Sequence, residues 1–394
     1  MYCKSYSSIA EIPAALWDGV FNSDNPFVQH AFLLALEKSG CVSAKTGWQP
    51  VHLVLLDGEQ AVAVMPSYAK SHSYGEFVFD WGWAEAYARH GLDYYPKLVS
   101  AIPFSPVAGP RIGVAPTARA GDIYPAMIDA VQQLVRTAGY SGWHLLFPDQ
   151  DLQQVFAGMK DEESILRREA VQFHWFNRDY HSFDDFLATL RSARRKNLKR
   201  ERRRVAEQGV SVERKTGEEI SPEDWQGFYH CYVDTYRRRS GHDGYLNRDF
   251  FDLLRQSMAE QLMLVVARRG QVIVGASLFL FDSNTLYGRY WGALQDISCL
   301  HFEACFYQGI EFCIDRGLQR FDPGTQGEHK LMRGFEPVKS ASYHWLKDAR
   351  FGAAIAHFLR REKRSTDDYQ QRAEMVLPYR RDVSDKKGDS DDSA

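Results

Sequence analysis

The stretch Leu262–Phe281, LMLVVARRGQVIVGASLFLF, decides the fold. Leu262–Ala267 is an apolar run of strand length, Arg269-Gly270 is a turn, and Val272–Phe281 returns as a longer buried strand. Thr285–Trp291 follows as a third strand, and His301–Asp315 as a helical run that Gly317 stops. Upstream, Val51–Leu56, the Asp57-Gly58 turn and Ala61–Tyr68 repeat the hairpin. Glu76–Trp81 is expected as its third strand, with helix-compatible sequence over Ala84–Val99. At an offset of about 212 residues Gly58 falls on Gly270, Val62 on Val274 and Tyr94-Tyr95 on Phe306-Tyr307. Tyr74-Gly75 falls on Tyr287-Gly288 with one extra residue. One shared offset for turn, strand and aromatic positions points to a tandem repeat. Two unrelated domains sharing a common hairpin are the alternative.

Further helices are marked by their caps. Asn25-Pro26 opens one that Gly40 closes, Tyr124–Ala138 carries an apolar stripe, and Ser221-Pro222 starts another through about Arg238. Ser182 caps a short helix over Phe183–Arg191, and a second starts near Ser192. Each unit thus reads helix, hairpin, strand, helix, strand, an α+β order with a largely antiparallel sheet. The expected boundaries are 1–165 for the first domain, 166–365 for the second, which begins with a basic helix, and 366–394 for a flexible tail.

The 394 residues are 44% hydrophobic and 25% charged, which excludes a disordered chain. No apolar run approaches the roughly 20 residues of a membrane span. The first apolar residues are interrupted by Glu11 and Asp18, so no secretory signal is expected. Six cysteines without a C-x-x-C pair read as free cytosolic thiols, which makes the expected location cytoplasmic. A net charge of −3 averages over one strongly basic block, Arg191–Arg204, RSARRKNLKRERRR, with nine basic residues and one acid. Such a helix repels itself unless polyanions are near. Arg195, Lys196 and Arg200 are therefore candidates for coenzyme A phosphates, a tRNA acceptor stem or another nucleic-acid backbone, against the alternative of a solvated face. No aromatic residue interleaves with them to stack bases.

Metal motifs, Walker loops and a G-x-S-x-G elbow are all missing from the sequence, so no metal is expected. The most unusual segment is Asp322–Gly334, DPGTQGEHKLMRG, just after the short strand Gln319–Phe321. Gly324 and Gly327 let backbone N–H groups approach an anion or carbonyl. Glu328 and His329 are candidates to take a proton, Lys330 to support an oxyanion, and Gln326 to bind substrate. In Tyr287–Trp291, YGRYW, Arg289 on a central strand needs a partner, either a ligand anion or Glu303 or Asp322. His301 and Glu303, in the next helix, are candidates to bind substrate. Cys305 and Cys313 read as core. In the first half, Asp80, Tyr94 and Lys97 stand among aromatic residues that suit either an amphipathic groove or a domain interface.

The segments His72–Ile112, FHWFNR (Phe173–Arg178), RRKNLKRERR (Arg194–Arg203), LYGRYWG (Leu286–Gly292), His301–Gly317 and GTQGEHKLMRGF (Gly324–Phe335) resemble the FemAB-like branch of the GNAT acyltransferase superfamily. The resemblance spans most of residues 20–365. It implies tandem GNAT-like domains, each a mostly antiparallel sheet flanked by helices, and transfer of an acyl or aminoacyl group to an amine, with a place in peptidoglycan metabolism. The donor it implies is an acyl-coenzyme A thioester or an aminoacyl-tRNA; the acceptor is a small-molecule or peptidoglycan-precursor amine. It places the core residues on Arg289, His301, Glu303, Gly324, Gly327, Glu328 and Lys330. The R/Q-x-x-G-x-G/A pyrophosphate loop of ordinary GNAT enzymes is missing from both halves. A non-catalytic module that recognises peptides or cell-wall precursors is the alternative reading.

Overall fold

The computed structural model describes residues 1–158, 165–325 and 327–380. Gln326 and 381–394, the last 14 residues of the expected tail, lie outside them.

The Leu262–Phe281 hairpin forms as read, with strands Leu262–Arg269 and Val272–Phe281, and its apolar side chains are buried except at exposed Val272 and half-buried Ile273 and Phe281. It belongs to an eleven-stranded sheet. From the hairpin outward, the order continues through Thr285–Ala293, Arg320–Asp322, Leu166–Phe176, Glu336–Leu346, Gly142–Leu146, Lys97–Ser100 and Tyr68–Lys70 to Trp48–Pro50. Ser211–Thr216 lies at the opposite edge. Only Thr285–Ala293 with Arg320–Asp322, and Lys97–Ser100 with Gly142–Leu146, pair in parallel; the other neighbours are antiparallel. Parallel neighbours need a crossover. In the second half it is the helical stretch Leu300–Arg316, and in the first half the helix Ala120–Ala138. The α+β class and the tandem order of the two halves are therefore those expected.

The repeat is nevertheless drawn differently from the 212-residue offset. Glu76–Trp81 is not a strand; it leads into the helix Trp81–Arg89, and the true third strand is Lys97–Ser100. Tyr94-Tyr95 therefore precede a strand, whereas Phe306-Tyr307 lie in a helix, and that match is coincidental. The helix expected from Asn25 starts only at His30, because Asn25 Oδ1 accepts the Phe27 N–H and closes a local turn first. The first hairpin is split between sheets. Gln60–Met65 pairs with His52–Asp57 in a separate four-stranded sheet, and after Pro66 the chain rejoins the large sheet at Tyr68–Lys70. Pro66 has no N–H to give a ladder, which suits the switch point.

Counted through Phe176 for the first half, past the expected boundary at 165, the last strand of each half pairs with the other half. Leu166–Phe176 borders Arg320–Asp322, and Glu336–Leu346 borders Gly142–Leu146. These two exchanged strands also pair with each other, from Glu336 opposite His174 to His344 opposite Leu166. The helix Ala349–Met375 lies over them, held by Arg168–Glu362 at 2.8 Å and Lys363–Glu169 at 3.1 Å. The stretch read as tail from 366 thus continues in this helix to Met375, and Tyr379 Oη donates to the Gly334 carbonyl at 2.5 Å. Among the described residues no helix is long and apolar enough to cross a membrane.

The helix Pro222–Ser240 crosses the strand Thr285–Ala293 so closely that a Cβ on Gly292 would collide with the Cys231 carbonyl. Gly292→Ala is expected to cost at least about 3 kcal/mol, because backbone, not a flexible side chain, must move. The shift in denaturant midpoint measures it.

Candidate functional site

The Thr285–Ala293 strand and the segment after Arg320–Asp322 diverge, and a cavity of about 700 Å³ opens between them. Arg289, Gly288 and Trp291 come from the strand, and Pro323, Gly324, Thr325, Gly327, His329 and Lys330 from the glycine turn. Gly324 and Gly327 have φ of +91° and +110°, which folds the turn back over the strand end. Residues 328–333 then form a short 3₁₀ helix.

The crossover helix closes the cavity. Its segment Glu303–Tyr307 is a π-helical turn, preceded by Cys299 in the left-handed region at φ 67°. The widened turn brings His301, Phe302, Cys305 and Phe306 onto the wall. Tyr232, Tyr236 and Arg239 come from the helix Pro222–Ser240, and Phe77 and Phe104 from the first half.

The charges are one-sided. Arg239, Arg289 and Lys330 line the cavity, and among the described residues no aspartate or glutamate does. Arg289 donates to the Phe104 carbonyl at 3.1 Å, while its Nε has no partner. Neither Glu303 nor Asp322 pairs with it, so of the partners considered from sequence the ligand anion is the one left. Lys330 is 2% exposed and donates to the Gly324 carbonyl. Burial pulls its ammonium down to about 8, against the opposing pull of Asp322. Burial, with His329 and three nearby cations, lowers His301 to about 3, and His329 is lowered by burial, Arg333 and Lys330. Both imidazoles are thus neutral at pH 7. Burial pushes Cys305 up to about 12, which removes it as a nucleophile. The arrangement can hold an anion, accept a proton on His329 and donate from Lys330 to a developing oxyanion.

Several residues singled out in the sequence lie elsewhere. Glu328 is exposed and accepts from Tyr369 Oη at 2.9 Å, outside the cavity. Glu303 is buried and accepts from Arg202 at 3.0 and 3.1 Å and from Gln308 at 2.6 Å. It anchors the basic helix, Ser192–Glu207, rather than a substrate. Arg195, Lys196 and Arg200 do not line the cavity; Lys196 and Arg200 are exposed and Arg195 is half-buried. Gln326 lies outside the described residues. Asp80, Tyr94 and Lys97 do meet, but in the interior. Lys97 donates to Asp80, to Glu76 at 2.8 Å and to Ser73 at 2.9 Å, and Tyr94 Oη donates to Asp80 at 2.6 Å. Lys97 is 0% exposed, so no ligand reaches this cluster without unfolding it. Arg239, Tyr236 and Tyr245 were not singled out in the sequence. In the run Arg237–Arg239 the first two pair with Asp243 and Asp234, and the third faces the cavity.

Solved structures share the fold. The chain is similar to FemX, at 10% identity and a TM-score of 0.53, covering 90% of this chain and 100% of that one. It is similar also to the C-terminal domain of a putative lysylphosphatidylglycerol synthetase from Agrobacterium fabrum, at 11% identity and a TM-score of 0.51, covering 88% and 96%. A conserved protein of unknown function from Bacteroides thetaiotaomicron gives 12% and 0.51, covering 87% and 99%. No curated protein sequence matches the chain. The sequence profile of the FemAB-like family, described as peptidoglycan biosynthesis/recognition, matches residues 8–381. The chain belongs to that family.

Lys97→Met strands Asp80 and Glu76 as buried, uncompensated carboxylates. It is expected to cost about 3–5 kcal/mol of stability. Ligand affinity of the folded fraction is expected to stay unchanged, as calorimetric titration at a temperature where the variant is folded will check.

Proposed function

We propose that the protein is an N-acyltransferase that moves an acyl or aminoacyl group from a coenzyme A thioester or an aminoacyl-tRNA to an amine, in peptidoglycan-related metabolism in the cytoplasm. The observation that carries this reading is the cavity lined by three cations, two neutral histidines and no carboxylate, on the strand divergence of an acyltransferase fold. The donor's phosphates meet Arg239 and Arg289. The amine attacks the donor carbonyl, forming the C–N bond and a tetrahedral oxyanion beside Lys330. His329 takes the ammonium proton. Collapse breaks the C–S or C–O bond, and the leaving group departs as a thiolate, or as a ribose hydroxyl that recovers the proton. No covalent enzyme intermediate is needed, in keeping with the protonated thiol of Cys305.

Lys330→Ala is expected to lower kcat by about 100-fold, the size of losing one oxyanion donor, while Glu328→Gln stays within about twofold of the wild type. Lys330 acts in its charged form, so activity falls as pH rises through about 8. Lys330→Arg moves that limb to higher pH. Absence of turnover with both donor classes, with ligand affinity retained, favours the non-catalytic module instead.

The outward face of Ser192–Glu207 is the proposed contact for donor phosphates. Replacing Arg195, Lys196 and Arg200 by Glu is expected to raise KM for an aminoacyl-tRNA and to flatten its log–log salt dependence by about 0.7–0.9 per lost phosphate contact. A salt profile that the triple variant leaves unchanged removes tRNA from this face.

A further inference from the structure

A second cavity, of about 330 Å³, lies over the exchanged strands and meets the first at Phe77 and Thr325, which line both. It exists because one face of the strand pair carries small side chains. Ala170 stands opposite Ser340, and Ser342 stands one step along. Phe77 holds φ at +60°, a strained conformation for a bulky residue, at the divide between the two spaces.

The hydroxyls of this cavity have their hydrogens committed elsewhere, and Gln172 presents an unpaired oxygen. Gln172 is 2% exposed; its Nε2 donates to the Pro106 carbonyl at 3.1 Å, and its Oε1 has no partner. Ser340 donates to the Ala170 carbonyl at 3.4 Å, and Thr366 to the Glu362 carbonyl at 3.1 Å. For Ser342 the direction follows from a chain of bonds. Tyr94 donates to Asp80, so its oxygen accepts from His144 Nε2, 3.5 Å away. His144 Nδ1 is then an acceptor, and His344 Nδ1 donates to it at 2.7 Å. A neutral His344 has no hydrogen left on Nε2, so Ser342 must donate there, at 2.8 Å. Burial keeps both imidazoles neutral, His144 with a pKa of about 3 and His344 well below the ordinary histidine value. The arginine in the lining, Arg168, is held by Glu362 and the Phe79 carbonyl.

Gln172, Ser340 and Ser342 therefore offer lone pairs, while Glu169, also in the lining, is already paired with Arg167, Lys339 and Lys363. The first cavity has the opposite character, cations without carboxylates. We infer that the second cavity binds the primary amine of the acceptor and delivers it past Phe77 and Thr325 to the donor carbonyl. The delivery rests on the acyl-transfer reading; the amine-binding site does not.

The test is ligand-observed NMR on the full chain with n-butylamine, its trimethylammonium analogue and n-butanol. Butylamine is expected to bind at least about tenfold more tightly than the trimethylammonium compound, which has charge but no N–H, and than butanol. Gln172→Leu and the cavity-filling Ser340→Leu are each expected to weaken butylamine by about tenfold or more, with pyrophosphate affinity unchanged. Arg289→Ala is expected to do the reverse. Equal binding of amine and trimethylammonium, or butylamine binding that survives both cavity variants when circular dichroism shows them folded, overturns the inference. Loss of acyl transfer with intact, cavity-dependent amine binding would instead defeat the acyl-transfer reading and leave the site standing.

Discussion

The pairing of Leu166–Phe176 with Glu336–Leu346 is the constraint on which the rest of the molecule depends. Each strand ends one half and completes the sheet of the other, so neither half has its full set of ladder hydrogen bonds alone. The exchange fixes the distance between the glycine turn of the second half and the Phe77–Phe104 wall of the first. The first cavity is built from both. The same strand pair floors the second cavity, and its register sets Ala170 against Ser340.

Electrostatics then divide the work. In the first cavity the charged side chains are Arg239, Arg289 and Lys330, and both imidazoles are neutral. Acids that would cancel those charges are held away from it: Glu303 by Arg202, Glu201 by Arg333, and Asp322 by the Gly324 N–H. The basic helix thus has two faces. Arg202 ties it to the crossover helix, while Lys196 and Arg200 stay in solvent. On the other side of Phe77 the exposed chemistry is that of lone pairs. Cations on one side of Phe77 and lone pairs on the other make two separate environments that meet at one junction.

The hairpin and the glycine turn were legible in the sequence because their signals are local: an apolar run around Arg269-Gly270, and two glycines framing charged residues after a strand. What sequence misjudged depends on distant partners. Glu303 resembles a substrate acid in a first turn until Arg202, 101 residues earlier, is placed against it. Asp80 and Lys97 resemble groove charges until the loop over 71–96 folds them onto each other and out of solvent. Glu328 stands beside His329 in the chain, but successive residues of a 3₁₀ turn face different directions, and it meets Tyr369 instead. The second cavity had no sequence signal, because its small residues lie on strands about 170 positions apart and their register is set only by the fold.

The central claim is that donor and amine sites meet at Phe77 and Thr325. Binding of a bisubstrate conjugate tests it most directly. Two such conjugates carry a butylamine nitrogen linked through the acyl position, one to coenzyme A as a thioether and one to a terminal adenosine phosphate of the aminoacyl-tRNA type. One of them is expected to bind at least about 100-fold more tightly than either of its parts, since the second contact becomes intramolecular. If neither conjugate binds more tightly than its better half, the two cavities do not serve one reaction, and the account is contradicted.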